Sequence, residues 1–122
     1  MRPLALALLG MTACVSSRDT ALAGMKKALG EVRSGPATVF TEHWEERLDP
    51  RPLVGLSRKE IEGALGPRAD CPSSGFRSRF EYSCDAYRFY NLPAGAGGGG
   101  PNLEIYSDGY GICVRTLWAI TM

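Results

Sequence analysis

Four cysteines and a single histidine carry most of the reactive chemistry available to this chain. Cys71, Cys84 and Cys113 follow no C-x-x-C spacing and His43 is the one imidazole, so no metal site is expected. In an oxidising compartment two of these thiols are expected to pair. Cys71 with Cys84 is favoured because Pro72-Ser73-Ser74-Gly75 between them is loop-like and closes a ring of about 12 residues; Cys84 with Cys113, across neighbouring strands, is the rival. The leftover thiol is expected to be buried and inert. His43 stands between Glu42 and Trp44, but no Ser or Cys in an elbow-like context accompanies it as nucleophile, so no catalytic residue is assigned and no enzyme is expected. Gly95–Gly100 lacks the Gly-Lys-Ser/Thr ending of a phosphate-binding loop and does not lead from strand into helix, so no cofactor is expected. Glu42, Glu45, Glu46 and Asp49 read as a solvated acidic face rather than as cation ligands.

Cys14 has a different context. Met1-Arg2-Pro3 supplies a short positive region and Leu4–Met11 an apolar stretch of signal-peptide length. Thr12-Ala13-Cys14 then resembles a lipobox, with Met11 where Leu is usual. The resemblance implies cleavage after residue 13, lipidation of Cys14 and residues 14–18 as a tether. Ordinary secretory cleavage nearby and an uncleaved N-terminal helix are the alternatives. With Val15 after the Cys, a Gram-negative host would send such a lipoprotein to the outer membrane.

The bulk properties agree with a tethered domain. The chain has 122 residues, 44% apolar and 22% charged, which suits one globular domain. Removing residues 1–13 takes away one charge, Arg2, and brings the 14 basic residues to parity with the 13 acidic ones. Neither a nucleic-acid footprint nor a polybasic membrane patch remains. No apolar run approaches the roughly 18 residues needed to span a bilayer. Any membrane anchorage therefore falls to a lipid on Cys14.

The elements that position these residues can be read along the chain. Asp19 suits a helix cap over 20–33, with Ala21, Met25, Ala28, Leu29 and Val32 on one side and Gly35-Pro36 ending it. Residues 37–52 read as irregular, with a helical turn near 42–47. Leu56-Ser57-Arg58-Lys59-Glu60-Ile61 is a capping box with a hydrophobic staple, and Gly66-Pro67 stops the helix it opens after about two turns. Phe80–Cys84 and Tyr87–Leu92 are aromatic-rich and strand-like, with a break near Asp85. Pro93–Pro101 is a loop. Leu103–Ile120 reads as a hairpin turning at Asp108-Gly109, which would pair Ile105 with Ile112 and Leu103 with Val114 on a core face shared with Trp118. Glu104, Cys113, Arg115 and Leu117 would then form an opposite face open to solvent or a partner. Several aromatics are expected away from the core, and Tyr90, Tyr106, Tyr110 and Arg115 are the candidate partner-binding residues.

The run Leu53–Gly66, with Gly55, Ser57 and Gly66 at set spacing among Leu56, Ile61 and Leu65, followed by aromatic strands and a closing hairpin, resembles the SmpA/OmlA (BamE-like) domain over residues 53–120. Pro67 directly after Gly66, the longer cysteine-containing segment and the glycine-rich loop depart from that pattern. The resemblance implies an α+β fold of N-terminal helices followed by a three- or four-stranded antiparallel sheet, with residues 19–52 preceding a domain at 53–122. Halves of β-lactamase-inhibitor proteins share this shape and bind through a sheet face. The implied function is a lipid-anchored, non-enzymatic envelope protein that binds an envelope partner, facing the periplasm from the outer membrane. A secreted inhibitor-like or small-ligand-binding module is the alternative.

Overall fold

The computed structural model describes residues 2–35, 44–71, 80–91 and 99–120, and of these it gives the backbone alone for 2–16. Helix α1 spans Arg2–Ser34, so the expected helix at 20–33 is its C-terminal part and the backbone of 2–18 continues the same helix. Ser17 to Thr20 are exposed and packing begins at Ala21 and Leu22. Met25, Ala28, Leu29 and Val32 recur every three or four residues, share one face and are buried. Asn91 closes the end of this helix by donating Nδ2 hydrogen bonds to the Val32 carbonyl at 3.2 Å and the Gly35 carbonyl at 3.1 Å.

Helix α2 (Trp44–Arg47) is the expected short turn, and it buries Trp44. A 3-10 turn at Arg51–Leu53 places Leu53 in the core. Helix α3 (Arg58–Leu65) begins as its sequence dictates: the Glu60 amide donates to Ser57 Oγ at 3.1 Å, and the Ser57 amide donates to Glu60 Oε1 at 3.4 Å. It ends at Gly66, whose φ of +87° a Cβ would strain. Replacing Ser57 by Ala should cost about 1 kcal/mol of unfolding free energy in urea titration, with Ser57→Asp restoring most of it.

Strands β1 (Ala69–Asp70), β2 (Ser83–Arg88), β3 (Pro101–Ser107) and β4 (Cys113–Ile120) form one antiparallel sheet in chain order. The architecture is therefore α+β, with four strands. Tyr87, Leu103 and Ile105 join Met25, Leu29, Ile61 and Leu65 in one core, so α1 belongs to the same packed unit as the sheet. Phe89 meets Trp118 edge-on at 5.0 Å between ring centres.

Three details correct the sequence reading. β2 is one continuous strand through Asp85, and Pro101 opens β3 rather than ending the loop. The hairpin is not a two-residue Asp108-Gly109 turn. The Asp108 carboxylate accepts from the Tyr110 amide at 2.9 Å and the Ile112 amide at 3.0 Å, while Gly111, not Gly109, takes positive φ. This wider turn moves the register, so Leu103 faces Trp118 and Ile105 faces Thr116. A bulge beside Tyr106 and Ser107 then turns Cys113 inward and leaves Val114 outside.

Candidate functional site

Strand alternation puts Cys84 and Ala86, then Asn102, Glu104 and Tyr106, then Arg115 and Leu117, on the face away from α1 and α3. This face was expected to be polar and open, and its central row is closed: Asn102, Glu104 and Tyr106 are 1%, 1% and 2% exposed. The Tyr106 hydroxyl donates to Glu104 Oε1 at 2.9 Å. Arg115 lies over the Tyr106 ring, 4.0 Å from guanidinium carbon to centroid, and donates to both Glu81 oxygens at 2.7 and 3.0 Å. Burial, reinforced by Glu104, raises the Tyr106 hydroxyl above the ordinary phenol range. Tyr106, Glu104, Arg115 and Glu81 thus form a linked polar chain that fixes the ring rather than presenting it.

At the edge of this row Cys71 and Cys84 are joined as a disulfide, with 5.7 Å between their Cα atoms. Their sulfurs and a Glu104 carboxylate oxygen lie within 4.8 Å of one another. While the sulfurs are bonded to each other the trio offers a cation only the carboxylate. Cys113, assigned by sequence to the open face, is instead a core residue at 1% exposure, and desolvation pushes its thiol up to about 11. Alkylation of the native protein with iodoacetamide at pH 8 should therefore be slower at Cys113 than after unfolding in urea by a factor of at least about 100. Labelling at the same rate in both states would show that the thiol reaches solvent.

The four residues proposed to bind a partner are not gathered in one place. Tyr110 projects from the hairpin turn at 94% exposure, Tyr106 is buried beneath Arg115, and Arg115 is engaged by Glu81. Tyr90 is half-buried at the opposite end of β2, packed so closely on Gly100 that a Cβ there would come within 2.8 Å of Tyr90 Cβ. Phe80 and Tyr82, which are not among those four, are 70% and 75% exposed. The Tyr82 amide donates to the Ser107 carbonyl at 2.7 Å, placing Tyr82 where β3 ends and the Tyr110 turn begins. With outward-facing Val114 at the start of β4, these side chains make an apolar and aromatic rim at the hairpin end of the sheet. His43, Glu42 and most of the glycine-rich loop lie outside the described residues, and of Cys14 the backbone alone is described, within α1. No protein-family model matches the chain, and no curated protein or solved structure matches it.

Proposed function

We propose that this chain is a lipid-anchored bacterial cell-envelope protein whose α+β domain binds another envelope protein without catalysis, in outer-membrane assembly or maintenance. The observation that carries the binding role is the rim of Phe80, Tyr82, Tyr110 and Val114, because exposed aromatics clustered at one end of a small domain are costly in water unless a partner covers them. Tyr and Phe offer rigid apolar area at low entropic cost, and the Tyr hydroxyls add hydrogen bonds at its edge. The anchor in this reading is Cys14, on the strength of the apolar stretch Leu4–Met11 and Thr12-Ala13 before it. Among the described residues no helix is long and apolar enough to cross a membrane. The SmpA/OmlA resemblance of residues 53–120 supplies the envelope context.

The test has two arms. Intact mass and detergent partitioning in a Gram-negative host, wild type beside Cys14→Ser, should show loss of residues 1–13 and a lipid-sized gain in the wild type alone. A photo-crosslinking residue at Tyr110 should then capture a discrete envelope protein, whereas the same residue at exposed Lys26 on α1 should not. Release of both proteins as unlipidated soluble chains would overturn the anchor, and equal capture from both positions would overturn the rim.

A further inference from the structure

The opposite end of the sheet carries a second feature, built around an interrupted strand edge. β1 pairs with β2 only at Ala69 opposite Ala86 and Asp70 opposite Asp85. Before Ala69 the chain swings away through Pro67 to the end of α3, and this divergence opens a notch of about 250 Å³ lined by Arg33, Pro67, Ala69, Tyr87, Arg88 and Tyr90. The Phe89 amide donates to the Pro101 carbonyl at 2.9 Å, toward β3. Alternation along the strand then directs the amide and carbonyl of Arg88 into the notch. Among the described residues Arg88 makes no side-chain hydrogen bond or ion pair, and its backbone makes no hydrogen bond outside the strand ladder. An open pair of strand-edge groups is a template for one more extended segment.

The charge is equally one-sided. Arg33 is held at the rim by an Nη1 hydrogen bond of 3.0 Å to the Leu65 carbonyl, which leaves its other guanidinium donors available. Arg88 is the second basic residue of the lining, its side chain on the sheet face away from α1, and no acidic residue is among the described lining residues. Two fork-shaped donors around one small space suit a carboxylate. The volume gives room for one terminal residue and too little for a folded element. An extended chain entering past Tyr90 and running antiparallel to β2 must stop at Ala69, where β1 already occupies the edge.

We propose that this notch captures the C-terminal carboxylate of a partner polypeptide, its last residue adding to the β2 edge at Arg88 while Arg33 and Arg88 hold the carboxylate. The proposal rests on the protein-binding reading above and gives the partner a chemical signature. It also assigns Tyr90 a role as the wall of the subsite.

Amide chemical-shift titration of the full chain in detergent, with acetyl-Gly-Gly-Leu-Phe bearing a free carboxylate as the probe, tests it. The amides of Tyr87, Arg88 and Tyr90 should shift and saturate, and the C-terminally amidated peptide and inorganic phosphate should each bind at least about tenfold more weakly. Arg88→Gln and Arg33→Gln should each weaken the acid peptide at least about tenfold, as loss of a charged hydrogen bond does. Arg88 has no partner to lose in the fold, so its variant should leave all other amides in place. Equal binding of acid and amide, phosphate binding as tightly as the peptide, or unaffected variants would overturn the proposal, phosphate parity marking a bare anion site. If Tyr110 crosslinks its partner equally well in wild type and Arg88→Gln while the peptide fails to bind, the notch falls and the protein-binding reading stands. Peptide capture without any crosslinked partner would leave the notch standing and remove that reading.

Discussion

Asp85→Ala is expected to lower the unfolding free energy by about 3 kcal/mol and the melting temperature by about 10 °C or more. Asp85 is 5% exposed in the middle of β2, opposite Ile105, and Arg58 grips it with two hydrogen bonds of 2.8 Å, Nε to Oδ2 and Nη2 to Oδ1. Arg68 adds a contact of 3.3 Å. Arg58 is the first residue of α3, and its backbone amide donates to the Gly111 carbonyl at 2.8 Å, so one residue ties the helix both to the strand and to the hairpin turn. Removing the carboxylate strands a guanidinium whose side chain is only 28% exposed beside the core. The exposed Asp49 with Arg51 is the control: its side chains are 50% and 85% exposed, and Asp49→Ala should not shift the urea midpoint measurably. A loss below about 1 kcal/mol for Asp85→Ala would mean that Arg58 escapes to water and that the capping box alone secures α3.

The same pair shows why some of the fold was legible in the sequence and some was not. Helix α3 is a local object: Ser57, Glu60, Gly66 and Pro67 each act within a few residues, so its cap and stop could be read in advance. Asp85 could not, because Asp is disfavoured in strands and its presence suggested a break. Arg58, 27 residues earlier, together with Arg68, makes it a strand residue. The hairpin failed for a related reason. Asp108 spends its carboxylate on the Tyr110 and Ile112 amides, which widens the turn, and the bulge that follows exchanges the faces of Cys113 and Val114. A period-two pattern carries no mark of such a shift. β1, with two residues, is too short to show any period at all.

The candidate surfaces follow the same rule. The density of Tyr and Phe near the strands was plain in the sequence, but their fates depend on the register and on distant charges. Tyr106 is buried because Arg115 covers it and Glu104 receives its hydroxyl, whereas Tyr82 and Tyr110 are exposed because they sit at the ends of the ladder. The notch depends on where β1 stops and Pro67 turns away, an event of tertiary structure that puts Arg33 of α1 and Arg88 of β2 on the lining of one space.

Replacing Cys71 and Cys84 together by Ser is expected to cost about 3 kcal/mol, since the bond closes a loop between positions 13 apart in sequence and limits the unfolded chain. Dithiothreitol should produce the same loss in the wild type if the cross-link, rather than the packing of the sulfurs, is responsible, and denaturant titration of reduced and double-Ser protein should then superimpose. Divergence between the two would trace the difference to the site of Cys84, 5% exposed and within 4.8 Å of the Glu104 carboxylate. The single variant Cys71→Ser separates the pairing from the alternative left open by spacing. Cys84 lies opposite Tyr106 on the face away from the helices, whereas the bulge turns Cys113 into the core on the other face. The sheet itself stands between the two thiols, so Cys71→Ser should retain two alkylatable cysteines at these positions after unfolding in non-reducing urea. Recovery of a Cys84–Cys113 bond instead would require β3 to leave its place between β2 and β4, since two strand spacings exceed the reach of a disulfide, and would show that the sheet opens before the bond forms.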